Sequence, residues 1–270
     1  MTYALSAGPV PPGRWTGRVF HPVVLISVVW MTAGTMPLQG QEQTWPPNSM
    51  DRPRPPVVQP GAPNPPASPP ADAIVLFDGK SLEHWETQGQ TPRWKLENGY
   101  LEVVGGTGPI TSRRAFGDIQ LHLEWATPRP ARGSGQNRGN SGVFLMGHYE
   151  VQILDSWQNE TYADGQAGAL YGQHPPLVNA SRAPGEWQTY DIIFRRPQFN
   201  SDGSLMRPGR ATVFHNGVLV HDGAEFKGRT VHNAEAKYSP HADLGPIQLQ
   251  DHGDPVRFRN IWVRELQTKS

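Results

Sequence analysis

The sequence predicts an all-β domain, a two-sheet antiparallel sandwich with jelly-roll connectivity. Short runs of alternating apolar and polar residues are bounded by glycine, proline and asparagine, as expected for strands with one buried face. Two Asn-Gly pairs, Asn98-Gly99 and Asn216-Gly217, favour tight hairpin turns because both residue types tolerate a positive φ. No long segment has the 3.6-residue period of an amphipathic helix, so helices should be minor.

Three segments carry clear strand patterns. Apolar and polar residues alternate at 119–125, 190–195 and 247–250. On the first strand, Glu124 falls on the polar face and becomes a candidate ligand contact. Near the C-terminus the alternation breaks at Arg259, which predicts a bulge that would turn this side chain toward a carboxylate or a ligand oxygen. The alternative is that Arg259 is a surface charge on an edge strand.

The chain divides into three predicted parts. Residues 1–40 read as a signal peptide or N-terminal anchor, because arginines precede an apolar run shorter than the ~20 residues of a membrane span. Residues 41–72 should form a disordered, proline-rich linker, since eleven of the 25 residues from 46 to 70 are proline. The folded domain is expected at 73–268. This order predicts export, to the periplasm or the medium, with any membrane tether confined to the N-terminus.

Composition excludes several functions. Lys and Arg number 24 and Asp and Glu number 24, so the chain lacks the basic surface that nucleic-acid binding requires. The chain has no cysteine, which excludes disulfides, thiolate metal sites and cysteine nucleophiles. Chemistry must therefore come from carboxylate, imidazole, hydroxyl, amide or guanidinium groups.

Two strands predict a polar surface suited to sugar hydroxyls. Glu150 and Gln152 share one face of the strand at 149–155, and Gln250 and His252 share a face near 248–252. Amides and imidazoles can both donate and accept hydrogen bonds, and carboxylates accept them, so together these groups supply the donors and acceptors that sugar recognition requires. Aromatic rings that could stack on a sugar include Trp157, Tyr162 and Tyr171. The alternative is an ordinary solvated strand face.

Several motifs, taken together and in order, resemble one known family. The chain is similar to the 3-keto-disaccharide hydrolase domain family over about residues 74–266. The residues that carry the resemblance are Phe77-Asp78-Gly79-Lys80, Arg138-Gly139-Asn140-Ser141-Gly142, Tyr149-Glu150-Val151-Gln152-Ile153-Leu154-Asp155, Gly168-Ala169-Leu170-Tyr171 and Leu249-Gln250-Asp251-His252-Gly253. The resemblance implies a concanavalin A-like jelly roll and a glycosidase-type enzyme that acts on 3-keto-glycosides or 3-keto-disaccharides.

The implied chemistry is an elimination followed by hydration. A ketone at sugar carbon 3 acidifies the hydrogen on carbon 2, so a base can remove it and the substituent on carbon 1 can leave. We expect Glu150 or His252 to serve as base or acid, and Asp155 to orient His252 or contribute to a metal site. No cofactor is required, although a divalent metal could polarise the ketone. The residues expected to contact the glycoside substrate are Glu124, Arg138, Asn140, Gln152, Tyr171, Gln250 and Arg259.

Two other functions remain open from the sequence. A noncatalytic, lectin-like carbohydrate-binding module of the bacterial envelope would use the same fold and polar face, since fold alone does not fix function. A protein-interaction domain would instead expose an apolar patch.

Overall fold

The computed structural model describes residues 44–63 and 68–267, together with the isolated Gly8, Gly13 and Gly17. The described residues from Thr44 onward belong to one compact unit. The predicted signal sequence or anchor therefore lies almost wholly outside the described residues. Within the described part of the chain, no helix has the length and apolar character to cross a membrane.

The described chain is almost entirely β-structure, with only two short 3₁₀ turns at Gly135–Asn137 and Ala163–Gly165. The strands are β1 (Ile74–Phe77), β2 (Trp85–Glu86), β3 (Lys95–Glu97), β4 (Tyr100–Glu102), β5 (Ile110–Phe116), β6 (Ile119–Ala126), β7 (Ser141–Leu145), β8 (Tyr149–Ile153), β9 (Gln188–Arg195), β10 (Gln198–Phe199), β11 (Leu205–Arg207), β12 (Arg210–His215), β13 (Val218–Glu225), β14 (Gly245–Leu249) and β15 (Arg257–Glu265).

Two antiparallel sheets form the sandwich, which confirms the predicted fold class. The larger sheet has the order β13-β12-β9-β6-β15-β4-β3, with β1 also paired to β15. The smaller sheet has the order β2-β5-β14-β7-β8, and β10-β11 is a separate ribbon. Consecutive strands such as β5 and β6, or β8 and β9, lie in different sheets, so the chain repeatedly crosses the sandwich as jelly-roll connectivity requires.

The core lies between the sheets and follows the predicted alternation. The inward residues of β6 include Leu121, Leu123 and Trp125, and those of β8 include Val151 and Ile153, all fully buried. Such side chains supply most of the folding free energy through burial of apolar area. The outward residues of β8 are then left for the opposite face of the smaller sheet, where the site lies.

The predicted turns and the predicted bulge are present. Asn98 and Asn216 have φ of 48° and 52°, which matches the left-handed conformation that tight hairpin turns need. The pairing of β15 with β6 shifts register between Arg259 and Trp262, at the break in alternation. Strand β15 lies inside the larger sheet between β6 and β4, so Arg259 is not on an edge strand.

Part of the predicted proline-rich linker is packed on the domain. Val57 forms a parallel bridge with Asn179, where Val58 N donates to Asn179 O at 2.9 Å and Asn179 N donates to Pro56 O at 2.9 Å. Pro60 is buried. Proline cannot donate to a ladder, but its carbonyl still accepts and its neighbours still donate, so the composition did not prevent docking. We call residues 44–62 the N-terminal arm.

Candidate active site

An open cleft of about 520 Å³ lies on the outer face of the smaller sheet, at the ends of β7, β8 and β14. This volume is in the range of small-molecule sites. Six of the residues predicted from the sequence line it: Asn140, Glu150, Gln152, Tyr171, Gln250 and His252. The structure thus brings together two strand segments that are far apart in the chain.

Glu150 is the chemically unusual residue of the cleft. It is 4% exposed, and no hydrogen bond or ion pair reaches its carboxyl group from the described residues. Burial raises the pKa of Glu150 to about 8, because the charged form loses its hydration without gaining a partner. A carboxyl group with a pKa near neutrality can exchange a proton with a substrate, so Glu150 is suited to acid–base chemistry.

A glycine in the adjacent strand makes room for this carboxyl group. Gly142 in β7 pairs with Gln152 in β8. A Cβ atom at Gly142 would collide with Oε1 of Glu150 and would lie 3.1 Å from its Cδ. The absence of a side chain at Gly142 therefore fixes where the carboxyl group can lie.

Amide groups form the next part of the cleft wall. Gln152 Nε2 donates to Gln136 Oε1 at 3.0 Å, and Asn140 Nδ2 donates to the Gln136 carbonyl at 2.7 Å. The side-chain oxygens of Asn140, Gln152 and Gln250 are buried and find no hydrogen-bond partner among the described residues. Buried polar atoms without partners are rare in folded proteins, so these three oxygens are ready to accept hydrogen bonds from a ligand.

A hydrogen-bonded chain of four side chains lies at the opposite wall, which three of them line: Tyr162, Tyr171 and His232. Asn233 Nδ2 lies 2.9 Å from His232 Nε2, and His232 Nδ1 lies 2.8 Å from the Tyr171 hydroxyl. The hydroxyls of Tyr171 and Tyr162 are 2.6 Å apart. When Asn233 donates to Nε2, the neutral imidazole donates from Nδ1 to Tyr171, which then donates to Tyr162. The hydroxyl hydrogen of Tyr162 is left to point at a ligand. We call these four residues the relay.

The tyrosines of the relay remain protonated. Burial raises the pKa of Tyr162, and its hydrogen bond with Tyr171 raises it further. Burial also raises the pKa of Tyr171. Both groups are therefore hydrogen-bond donors over the whole physiological range of pH, and neither can act as a base there.

His252 lies at the exposed rim of the cleft. Its loop is held by Asp251, which accepts hydrogen bonds from Gly253 N and Gly108 N, both at 2.9 Å. Asp254 accepts a further bond from Asn140 N at 2.9 Å, which ties the rim loop to the cleft wall. The imidazole thus lies near the opening through which a ligand would enter and leave.

Arg138 and Asp155 lie in a neighbouring pocket of about 430 Å³, not in the cleft. Arg138 Nε donates to Asp155 Oδ2 at 2.7 Å, and Trp157 N donates to Asp155 Oδ1 at 3.2 Å. The expectation that Asp155 orients His252 is therefore wrong for this structure, because its carboxylate is occupied by the loop that follows it. Asp155 is 1% exposed and acts as a structural anchor.

Replacing Asp155 should destabilise the fold without moving the acid–base groups. We expect Asp155→Ala to lower the free energy of unfolding by about 3 kcal/mol, because it leaves the partly buried Arg138 guanidinium without its partner. Chemical denaturation measures the change. Asp243→Ala removes a carboxylate that is 75% exposed from its ion pair with Arg196, so it should cost under about 1 kcal/mol. Equal costs in the two variants would contradict this assignment.

Glu124 and Arg259 lie on the larger sheet, away from the cleft. Arg259 Nε donates to Glu124 Oε2 at 2.8 Å, so the guanidinium does reach a carboxylate, as the bulge predicted. The expectation that Glu124 shares a surface with Gln250 and His252 is wrong, because β6 and β14 belong to different sheets. Burial lowers the pKa of the adjacent His122, but hydrogen bonds to Asp191 and Glu124 outweigh it and raise that pKa to about 9.

Six residues that line the cleft were not predicted to do so from the sequence: Gln136, Asn137, Phe144, Tyr162, Thr230 and His232. Tyr162 was considered only as a stacking ring. Thr230 and His232 lie in the loop after β13, where no periodic pattern indicates a site. The Thr230 hydroxyl is held at the cleft because it accepts a hydrogen bond from Glu150 N at 2.9 Å. Among the described residues, no group of three or more His, Asp and Glu side chains is arranged to hold a metal ion.

Solved structures share this fold. A crystal structure from Parabacteroides distasonis ATCC 8503, provisionally classified as a glycosyl hydrolase, is 44% identical with a TM-score of 0.72, over 79% of this chain and 93% of that one. A second from the same organism, also provisionally a glycosyl hydrolase, is 22% identical with a TM-score of 0.52, over 73% and 94% of the two chains. The second similarity shows the shared fold. The first, together with the polar cleft, supports a glycosidase-type enzyme.

The chain belongs to the family of 3-keto-alpha-glucoside-1,2-lyase-like domains, which matches residues 72–264. A 3-keto-disaccharide hydrolase of Bacteroides thetaiotaomicron is 23% identical over 244 residues, which is 73% of this chain and 80% of that protein. The resemblance inferred from the sequence motifs is confirmed.

Proposed function

We propose that this protein cleaves 3-keto-glycosides, including 3-keto-disaccharides, by proton abstraction at carbon 2, elimination of the carbon 1 substituent and hydration of the product. One observation carries the proposal: a buried carboxyl group without a partner, with a pKa of about 8, lies in a cleft lined by amides and hydroxyls. A ketone-activated carbon acid needs such a base, whereas an ordinary glycosidase uses two opposed carboxylates. Within the described lining of this cleft, Glu150 is the lone carboxylate.

Glu150 is assigned as the base. In its ionised form it takes the proton from carbon 2, and the C–H electron pair becomes the enolate of the carbon 3 ketone. That pair then forms the double bond between carbons 1 and 2 as the bond from carbon 1 to the leaving oxygen breaks. Water adds to carbon 1 of the resulting enone, and carbon 2 recovers a proton from Glu150. The proton that the attacking water loses returns to the group that protonated the leaving oxygen, so the net reaction consumes one water and regenerates both the carboxylate and the acid.

The relay supplies a donor for the developing enolate oxygen. When Tyr171 donates to Tyr162, the hydroxyl hydrogen of Tyr162, at the end of the relay, is free for a ligand. A donor held in place before the reaction stabilises negative charge without reorganising, which is the principle of an oxyanion hole. The free side-chain oxygens of Gln152 and Gln250 accept hydrogen bonds from sugar hydroxyls and orient the ring.

His252 is assigned as the acid for the leaving oxygen. Glu150 is buried at the floor of the cleft and His252 is exposed at its rim. A sugar ring bound against the floor would direct its carbon 1 substituent toward the rim, where the imidazolium can protonate it. The proposed partner is thus a glycoside or oligosaccharide, and the N-terminal sequence supports a periplasmic or secreted location.

Deuterium exchange tests the proposal. Purified protein is incubated with a 3-keto-glucoside in deuterated water, and NMR follows carbon 2 and the released alcohol. We expect deuterium at carbon 2 together with release, and a value of kcat/KM that falls as the pH drops below about 8, since the base must be ionised. Tight binding of the keto sugar with neither exchange nor release would refute the enzyme and favour a lectin-like module.

A further inference from the structure

The N-terminal arm reaches the relay through one side chain. Asn48 Oδ1 accepts a hydrogen bond from Asn233 N at 3.0 Å. Asn233 in turn contacts His232 through its own side chain, which begins the relay. Asn48 is therefore two residues removed from the cleft wall, although it precedes Asn233 by 185 positions in the chain.

The same residue also contacts the turn that carries Tyr162. Asn48 N donates to Asp164 Oδ2 at 3.1 Å, and Asp164 lies in the 3₁₀ turn that directly follows Tyr162. Asn48 thus joins the two ends of the relay: it bonds to Asn233 at one end and to the turn after Tyr162 at the other. A link of this kind fixes the separation between two loops that the sheets themselves do not connect.

Asp164 depends on the arm for its charge partners. Its side chain is fully buried, and the nearest cation is Arg52 of the arm, with Nη1 3.6 Å from Oδ2. Its other oxygen, Oδ1, has no hydrogen-bond partner among the described residues. A buried carboxylate needs compensating groups, and here both the backbone donor and the cation come from the arm.

We propose that the N-terminal arm contributes to the active site. Asn48 is a positioning residue: its hydrogen bonds hold the loop of His232 and the turn after Tyr162 at the separation that the relay requires. The arm precedes residues 72–264, which the family match covers, so this contribution comes from outside the family domain. The inference rests on the proposed function for its kinetic consequence, but the geometry it assigns is measurable without substrate.

Asn48→Gly tests the link selectively. The φ of Asn48 is 60°, a conformation glycine adopts without strain, so the variant keeps the backbone donor to Asp164 and removes only the acceptor for Asn233. We expect kcat to fall on the order of tenfold with little change in KM, within the ~10²-fold loss that a 1 Å misplacement can cause. Arg54 lies on the same arm and forms an exposed ion pair with Glu160 of the domain. Arg54→Ala, which breaks this pair, is the matched control and should keep full activity.

A substrate-free readout separates this inference from the proposed function. In ¹⁵N-histidine-labelled protein, Asn48→Gly should shift the imidazole signals of His232, assigned with His232→Gln, and leave those of the buried His215 unchanged. Asn233→Gly, which also has a tolerant φ of 52°, should shift the same signals. Unchanged His232 signals together with an unchanged kcat in Asn48→Gly would overturn the inference. Shifted signals in a protein that never turns over 3-keto-glycosides would instead leave the link in place and reject the proposed function.

Discussion

Glu150→Gln should abolish turnover and at the same time stabilise the protein at alkaline pH. The amide cannot take a proton from carbon 2, so kcat/KM should fall by about 10²–10⁴-fold, the usual contribution of a positioned acid or base. The substitution also removes a buried group that resists ionisation. Activity measured on a 3-keto-glucoside and the free energy of unfolding measured against pH check the two halves.

The sign of the stability change follows from the pKa. In the folded protein the pKa of Glu150 is raised from 4.5 to about 8, so the folded state holds a proton that the unfolded chain has released. Wild-type stability therefore falls as pH rises from about 4.5 to 8, and the full penalty is present above about 8. At about 1.4 kcal/mol for each pKa unit, the gain from Glu150→Gln is at most about 5 kcal/mol at pH 9 and absent near pH 4.

The exposed Glu160 offers a matched control for this variant. Glu160→Gln makes the same chemical change at a side chain that is 80% exposed, so it should alter neither activity nor the pH dependence of unfolding. A Glu150→Gln protein that keeps wild-type turnover would remove Glu150 from the mechanism. One that is less stable than wild type at pH 9 would contradict the assigned cause of the raised pKa.

Gly142→Ala should impair activity in protein that is still folded. The new methyl group would occupy the space of the Glu150 carboxyl oxygen, so that carboxyl must move away from the cleft floor. We expect kcat/KM to fall by about 10²-fold, as for a misplaced catalytic group, and the free energy of unfolding to fall by about 1–3 kcal/mol from overpacking. Steady-state kinetics at a temperature well below the unfolding midpoint separates the two effects.

Gly61→Ala is the control for the glycine change, because a Cβ atom at Gly61 meets nothing within 4 Å. It should match wild type in both measurements. If Gly142→Ala kept full activity, the position of the Glu150 carboxyl would not matter to the reaction, and the proposed base would have to be sought elsewhere in the cleft.

The fold and one wall of the cleft were predictable because they depend on strand period. Side chains two apart on a strand share a face, so Glu150 with Gln152 could be placed together from spacing alone. Pairing of β14 with β7, and of β7 with β8, then brings Gln250 beside them. Alternation also located the bulge at Arg259, because the extra residue of a bulge interrupts the apolar–polar alternation in the sequence.

The rest of the site depends on long-range contacts that no local pattern encodes. His232 lies in an irregular loop, and its place beside Tyr171 follows from packing of that loop against β8. Alternation could not show that Glu124 lies on the other sheet, because a polar face looks the same on either one. The docking of the arm on the domain was not predicted for a related reason. Proline content shows which secondary structures a segment cannot form, but not which backbone groups of the domain it will bond to.

The edge of the smaller sheet also matters for how the protein behaves at high concentration. Strand β8 ends that sheet, and its outer backbone groups are occupied by the segment before Tyr171: Gly168 N donates to Gln152 O, and Gln152 N donates to Ala169 O, both at 2.9 Å. A bare strand edge is a template for another chain. The segment that leads to Tyr171 in the cleft wall therefore also covers this strand edge, so one piece of backbone both shapes the cleft and keeps neighbouring molecules from adding a strand.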